Sequence, residues 1–162
     1  MLAAGASSRF GEVKQRILLE PVLERVRAGA VDDVVVVLGA HEVETSARTV
    51  RCPEWERGRG ASLRCGLEAL GDDVEAAVVV LADGPNLSPA AIDRVLEVRR
   101  ESGAEIVAAT YEGNRGHPVV LDRAVWGRIP DEGARPLPAL LVPCDDLGAP
   151  GDVDVAEDLQ PE

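Results

Sequence analysis

The sequence predicts an α/β fold, with a mostly parallel sheet between layers of helices, from three observations. Residues 34–38 and 76–82 are short, continuous apolar runs rich in valine, and each run stops at turn residues. This pattern is typical of central parallel strands that are buried on both faces. Segments with helical periodicity separate the strands, as crossover connections require. The chain has 162 residues, of which 46% are hydrophobic, and this predicts one domain over residues 1–162 with one aliphatic core.

The remaining elements follow from local patterns along the chain. The predicted helices cover residues 21–30, 62–70 and 89–100, each with one apolar stripe. Ser88 is the expected N-cap of the third helix, Pro89 its first residue and Gly103 its stop. The further predicted strands cover residues 104–110, 118–121 and 140–142. The proline-rich residues 130–143 predict an irregular surface loop.

The start of the chain differs from the usual order of an α/β domain. Residues 1–4 are expected to be only the end of a strand, because Gly5 follows at once. We therefore expect either that native residues precede Met1 or that the numbering covers part of the natural chain.

Composition excludes several classes of protein. The formal net charge is −12, whereas proteins that bind nucleic-acid phosphates or anionic lipid carry a basic face. No run approaches the roughly 18 apolar residues of a membrane helix, and the first residues lack the pattern of a secretion signal. Cys52, Cys65 and Cys144 are far apart and form no CxxC pair. We therefore expect reduced, small core residues in a cytoplasmic protein.

Residues 2–14, LAAGASSRFGEVK, carry the strongest functional signal. Two glycines permit backbone conformations that a Cβ would hinder, and successive N–H groups there can form an anion-binding concavity. Ser7 adds a hydroxyl, while Arg9 and Lys14 add two cations that suit a triphosphate. The alternative is a surface turn with two solvated cations. The segment is not a P-loop, and the second strand lacks the terminal acidic residue of a dinucleotide-binding motif.

This segment resembles the LAAGxSxRxGxxK motif of the MobA-like NTP transferase family, whose members make molybdenum-cofactor dinucleotides. Four further segments resemble that family's second nucleotide-binding loop, LADxP turn, GHPV segment and terminal DxDTPEDL stretch. They cover residues 55–67, 81–85, 115–120 and 151–159. The resemblance is closest to the molybdenum cofactor cytidylyltransferase (MocA-like) branch. It implies a three-layer α/β/α fold with a mostly parallel, mixed Rossmann-like sheet of the nucleotide-diphospho-sugar transferase type.

The resemblance also implies roles for individual residues. Arg9, Lys14 and Asp83 are the expected catalytic residues, and His117 is the expected acceptor contact. The expected nucleotide contacts are Leu2, Ala3, Ala4, Gly5, Ser7, Gly60, Ser62, Leu63 and Gly66. Two alternatives stay open, because Ser62 could also act as a helix N-cap and His117 could be a structural histidine.

A metal site is predicted from three carboxylates. Asp83 follows a buried strand, at the carboxyl edge of the sheet where ligands bind in open α/β folds. A carboxylate there can hold Mg²⁺ together with substrate phosphates. The resemblance pairs Asp83 with Asp154, and Asp152 would share its strand face. The alternatives are a turn residue before Pro85 for Asp83, and a solvated acidic tail for the other two.

The reaction implied by the resemblance is transfer of NMP, with CTP as the preferred donor, to the phosphate of molybdopterin. The acceptor phosphate attacks the α-phosphorus and pyrophosphate leaves, so no side-chain nucleophile is needed. One alternative is the same chemistry with GTP or another phosphorylated acceptor. Another is a non-catalytic protein that binds or delivers molybdenum cofactor. The expected protein partner is a molybdoenzyme or its chaperone, and no nucleic-acid or membrane partner is expected.

Overall fold

The computed structural model describes residues 1–5 and 14–152, and it confirms the α/β class. The strands are β1 (Leu2–Ala3), β2 (Val35–Leu38), β3 (Arg48–Arg51), β4 (Ala76–Val79), β5 (Ile106–Tyr111), β6 (Asn114–Asp122) and β7 (Leu140–Pro143). The helices are α1 (Lys14–Arg27), α2 (Arg59–Glu68) and α3 (Pro89–Ser102). Short 3₁₀ helices cover Trp55–Arg57, Arg123–Arg128 and Asp145–Leu147. Within these residues no helix is both long and apolar enough to span a bilayer.

The strands form one mixed sheet, as predicted. β1, β2 and β3 pair in parallel, and a second group has the order β4-β6-β5-β7. β6 is antiparallel to β4 and β5, whereas β7 is parallel to β5. A parallel bridge between Leu2 and Leu81 joins the two groups. There the Leu2 N–H donates to the Val80 carbonyl at 2.9 Å, and the Ala82 N–H donates to the Leu2 carbonyl at 3.0 Å.

Helices cover both faces of this sheet and complete the three layers. On one face, Val36 of β2 packs in a buried cluster with Leu23 of α1 and Ile92 of α3. On the other face, Leu67 of α2 packs with Val119 of β6. The clusters are built almost entirely from aliphatic side chains, as the low aromatic content predicts.

The structure contains one strand that the sequence pattern did not predict. β3 lies at the edge of the sheet beside β2, and its side chains are mostly exposed. Its sequence, RTVR, has no apolar run that would have indicated a strand. Among the predicted helices, α1 already includes Lys14, earlier than the expected start, and Pro21 lies inside it.

Two helix starts test the capping predictions. The N-cap of α2 is Gly58, so the interpretation of Ser62 as an N-cap is wrong. Ser62 instead lies inside the helix with a relative exposure of 4%. At α3, Ser88 occupies the N-cap position and Pro89 the first turn, although the Ser88 side chain makes no capping hydrogen bond. Gly103 ends α3 in the left-handed conformation at φ 67°, as expected for a C-terminal stop.

The cysteine prediction holds in one case and fails in two. Cys144 is free and buried, as expected. Cys52 and Cys65 form a disulfide with a Cα–Cα distance of 5.7 Å, so the expectation that they are reduced is wrong. The bond joins the segment after β3 to α2. The two residues are 13 positions apart, and only the packing of α2 beside β3 brings them together.

Candidate nucleotide-binding site

The first predicted site segment leaves the sheet at the carboxyl end of β1. Leu2 and Ala3 form the strand, Ala4 is buried behind it, and Gly5 is exposed. A Cβ on Gly39 would lie only 2.7 Å from the Ala4 carbonyl oxygen and from Trp55, so the end of β2 needs glycine to pack there. Residues 2–5 of the predicted nucleotide contacts therefore lie at the carboxyl edge of the sheet.

Three predicted residues, Ser7, Arg9 and Asp154, lie outside the described residues, so their roles stay predictions. The backbone of Lys14 belongs to the first turn of α1. Because α1 connects two parallel strands, its N-terminus faces the carboxyl edge of β1, where helix N–H groups favour anions.

The start of α2 is held against a distant segment by close backbone contacts. Gly58 adopts φ 134°, and a Cβ there would lie 2.5 Å from the Asp131 carbonyl oxygen. A Cβ on Gly60 would lie 1.7 Å from the Pro130 carbonyl oxygen, which no side chain permits. The Gly60 N–H donates to the Asp131 carbonyl at 2.9 Å. We call this contact, between residues 57–64 and 129–133, the α2 clamp.

Ionic contacts reinforce the α2 clamp. Arg57 pairs with the Asp131 carboxylate at 3.2 Å, and Arg64 pairs with the same carboxylate. Arg64 also donates to the Ile129 carbonyl at 2.7 Å. The hydrogen bond from Arg64, together with Arg57, holds the pKa of Asp131 below its usual value. The first part of the predicted surface loop is therefore attached to α2 rather than free on the surface.

Three further predicted nucleotide contacts lie in α2. Ser62 and Leu63 are buried, at 4% and 5% exposure, and Leu63 packs in the core with Val79. A Cβ on Gly66 would lie 2.7 Å from Val37, so close packing of α2 on β2 already requires glycine. Packing accounts for Gly60, Leu63 and Gly66, and their contact with a nucleotide stays a prediction.

The Asp83 turn meets the far end of the described chain. Asp83 is half-buried just after β4, and a Cβ on Gly84 would lie 3.0 Å from Pro150 Cβ. The Asn86 N–H donates to the Pro150 carbonyl at 2.9 Å. Residues 84–86 therefore contact residues 149–151, and we call this the tail contact. Asp152 is exposed and directly follows residue 151, so the contact brings it close to the Asp83 turn.

The carboxylates of this region suit a hard divalent cation only in part. The described residues contain no group of three or more His, Cys, Asp or Glu side chains that could hold a metal ion. Asp83 and Asp152 therefore offer an incomplete set of oxygen ligands. Mg²⁺ sites commonly use one or two carboxylates and take the remaining ligands from water and substrate phosphates.

His117 lies on β6, between the Asp83 turn and a group of arginines. Burial lowers the pKa of His117 to about 4, and the charge on Arg59 adds to this effect. The charge on Asp83 raises the pKa of His117, while the charges on Arg115 and Arg135 lower it further. The imidazole is therefore neutral at pH 7, and the predicted acceptor contact does lie within electrostatic reach of the predicted metal ligand.

Two cavities meet at His117. The first, here called the arginine pocket, has a volume of about 110 Å³ and is lined by Arg59, Arg115 and Arg135 over an apolar floor that includes Leu63. The second, the tail cavity, has a volume of about 250 Å³ and is lined by residues of the tail contact. Leu81, Gly116 and His117 line both cavities. Another cavity of about 720 Å³ lies at the opposite edge of the sheet, away from every predicted site residue except Leu2, Leu63 and Gly66.

Sequence reasoning missed the three arginines of the pocket. Arg59 and Arg115 lie within segments that resemble family motifs, and this position was the only available signal. Arg135 lies in the proline-rich stretch and gave no signal at all. Its position depends on Arg115, whose guanidinium donates to the Arg135 and Leu137 carbonyls at 3.1 and 2.8 Å.

Comparison with known proteins identifies the family of the chain. Residues 1–141 match the family described as the MobA-like NTP transferase domain. Nicotine blue oxidoreductase from Paenarthrobacter nicotinovorans is 30% identical over 191 aligned positions, which cover 98% of this chain and 92% of that protein.

Solved structures share the fold over nearly the whole chain. Rv0371c from Mycobacterium tuberculosis H37Rv superposes with a TM-score of 0.77 at 28% identity, covering 97% of this chain and 92% of that one. A structure of Rv0371C in complex with manganese, from the same organism, superposes with a TM-score of 0.70 at 24% identity. That match covers 88% of this chain and 84% of the other.

Proposed function

The chain belongs to the MobA-like NTP transferase domain family, a family of nucleotidyltransferases, and from this premise we propose its reaction. The protein transfers NMP from an NTP to the phosphate of an acceptor and releases pyrophosphate. CTP is the proposed donor and molybdopterin the proposed acceptor, because the sequence motifs are closest to that branch. We place the activity in the cytoplasm, where NTPs are available, and a molybdoenzyme or its chaperone would receive the product.

The observation that carries this proposal is the convergence of distant segments at one edge of the sheet. The end of β1, the Asp83 turn and the tail contact all lie at the carboxyl edge, joined by the bridge between Leu2 and Leu81. Pro150 packs on Gly84 beside Asp83. A carboxylate from the middle of the chain and another from its far end, at the sheet edge where β1 ends, form an arrangement that suits a metal-bound triphosphate.

The carboxylates of this region supply part of the ligand set of a Mg²⁺ ion, whose other ligands would come from water and substrate phosphates. Asp83 and Asp152 would hold the ion, with Asp154 as a further proposed ligand, and all three supply the oxygen atoms that this cation prefers. When bound, Mg²⁺ would neutralise charge on the triphosphate. The manganese complex of Rv0371C supports a divalent cation in a protein of the same fold.

The protein's own residues would align and neutralise the substrates. Arg9 and Lys14 would balance the charge on the leaving pyrophosphate, and the backbone of residues 2–5 would face the nucleotide. An oxygen of the acceptor phosphate bonds to the α-phosphorus as the bond to the bridging oxygen breaks. That acceptor oxygen is already ionised, so no base is required. Neutral His117 would contact the acceptor without taking its proton.

A second candidate function comes from the 30% identical relative, which is an oxidoreductase. The same edge of an α/β sheet also holds dinucleotides in other enzymes, so a hydride-transferring enzyme could use this site. It would need neither Asp83 nor a divalent cation.

One screen separates these functions. Pyrophosphate release is measured with each of the four NTPs and molybdopterin, with and without Mg²⁺. We expect release with CTP that requires both molybdopterin and Mg²⁺. Release with GTP or with another phosphorylated acceptor would change the substrate but keep the chemistry. No pyrophosphate release with any NTP, together with NADH or NADPH oxidation, would favour an oxidoreductase. No release together with molybdopterin binding would favour a delivery protein.

A further inference from the structure

We propose that the arginine pocket is the subsite that holds the phosphate group of the acceptor, gripped by Arg59 and Arg135 and ordered by Arg115. This inference rests on the proposed nucleotidyl transfer, because it assigns the acceptor's anionic group to a location in that site. The three arginines are other residues than those at positions 5–14, which are proposed to hold the triphosphate.

The pocket collects arginines that have no carboxylate beside them. In this acidic chain, eight of the fifteen arginines among the described residues have a described carboxylate within 4.0 Å. The pairs are Arg48–Asp33, Arg51–Glu42, Arg57–Glu54, Arg57–Asp131, Arg64–Asp131, Arg94–Asp146, Arg99–Asp122, Arg123–Asp72 and Arg128–Glu105. Within residues 1–5 and 14–152, no such carboxylate lies beside Arg59, Arg115 or Arg135. Glu132 also lines the pocket but pairs with none of them.

Arg115 and Arg135 repel one another at the pocket. Burial lowers the pKa of Arg115, and the charge on Arg135 lowers it further. Arg59 lines the same pocket, so a bound anion would offset the positive charge of all three side chains. The apolar floor of Leu2, Leu63 and Val79 lowers the local dielectric constant, which strengthens attraction for an anion.

Hydrogen bonds and close approaches fix the backbone of the pocket walls before a ligand binds. Arg115 donates to the carbonyls of Ala134, Arg135 and Leu137 at 3.2, 3.1 and 2.8 Å, so it acts as the positioning residue for that segment. Arg59 is the first residue of α2, whose start is held by the α2 clamp. A Cβ on Gly133 would lie 3.6 Å from Arg59 Cβ, so the two walls are adjacent.

The location selects the acceptor rather than the NTP as the source of the phosphate. His117 and Leu81 line the pocket, and Leu81 is two residues before Asp83. A phosphate held there would lie near the turn that carries the proposed metal carboxylate, on the side from which the attacking group must come. Guanidinium groups are well suited to phosphate because they can donate two parallel hydrogen bonds.

The test compares Arg59→Gln and Arg135→Gln with Arg100→Gln in the full chain. Arg100 is an exposed arginine of α3 with no ion pair within the described residues, and it lines the cavity at the opposite edge. We expect each pocket variant to raise the KM for the acceptor by about tenfold, the effect of losing one charge-assisted hydrogen bond. The KM for the NTP and all constants of Arg100→Gln should stay unchanged. A rise in the KM for the NTP alone would assign the pocket to the triphosphate and overturn the inference.

A binding measurement separates this inference from the proposed function. Thermal unfolding is followed with increasing inorganic phosphate, against sodium chloride at equal ionic strength. We expect phosphate to raise the Tm of the wild type and of Arg100→Gln, and to raise it less in the two pocket variants. That result would stand even if no NTP supports turnover, and only the nucleotidyl transfer would then fail. An equal rise in all four proteins, or none in any, would overturn the anion subsite.

Discussion

The two contacts that bound the candidate site are built very differently. In the α2 clamp, a Cβ added to Gly58 or Gly60 would lie 2.5 or 1.7 Å from a carbonyl oxygen of residues 130–131. A backbone hydrogen bond and two ion pairs to Asp131 strengthen this contact. Within the described residues, the tail contact is made by a backbone hydrogen bond from Asn86 to Pro150 and by a close approach of 3.0 Å at Gly84. The first therefore holds a wall of the site in place. The second brings a carboxylate-bearing segment to the Asp83 turn through a looser approach at its glycine.

The largest expected effect is the loss of turnover when Asp83, beside the tail contact, is changed, compared with a loss of stability alone when Asp131 of the α2 clamp is changed. Asp83→Asn should lower kcat by about 100-fold or more, because a neutral amide is a much weaker metal ligand. Asp131→Asn should weaken the α2 clamp through loss of its ion pairs and leave kcat within about twofold. Pyrophosphate release and chemical denaturation measure the two effects. Turnover by Asp83→Asn at the wild-type rate would remove Asp83 from the proposed mechanism.

Gly60→Ala probes the α2 clamp itself. The added Cβ would lie 1.7 Å from the Pro130 carbonyl oxygen, so residues 130–131 must move away and their contacts are lost. We expect the free energy of unfolding to fall by about 3 kcal/mol, despite the better helix propensity of alanine. Urea denaturation measures it. Gly127→Ala is the control, because a Cβ there has nothing within 4 Å, and equal stability of both variants would contradict the close approach.

Gly84→Ala makes the matching change at the tail contact. The new Cβ would lie 3.0 Å from Pro150 Cβ, a crowding that the tail can relieve by shifting. We expect less than about 1 kcal/mol of lost stability. We also expect a fall in kcat of about tenfold, because Asp152 would be displaced from the Asp83 turn. If this variant unfolds as readily as Gly60→Ala, the two contacts do not differ in the way described.

The smallest expected effect is the pH dependence of stability at His117, which lies between the two contacts. Its pKa is lowered from 6.5 to about 4 in the folded protein, so the unfolded chain binds more protons in that interval. The contribution of neutral His117 is complete above pH 6.5 and declines as the pH falls toward 4. Denaturation at a series of pH values should show a shallower decline for His117→Asn than for the wild type. An equal decline in the two proteins would contradict the burial of a neutral imidazole at position 117.

Local pattern was enough to predict much of this molecule. The strand over residues 34–38 was identifiable because a strand buried on both faces must be apolar at every position. The position of Asp83 followed, since a residue directly after such a strand lies at the sheet edge. β3 gave no signal, because an exposed edge strand has no such requirement. The N-cap of α2 was also misassigned to Ser62, because serine is a usual capping residue. The cap is Gly58, because the close approach of Pro130 and Asp131 leaves no room for a side chain at positions 58 and 60.

The sequence by itself determined the α/β class and the positions of most strands along the chain, and it indicated the segments proposed to carry the chemistry, because these depend on patterns within a few residues. Only the tertiary structure decided the disulfide between Cys52 and Cys65, the α2 clamp and the arginine pocket. These depend on pairs such as Arg64 and Asp131, which are 67 positions apart. Such pairs meet only because backbone segments approach closely at glycines, and no local pattern specifies which distant segment will fill that space.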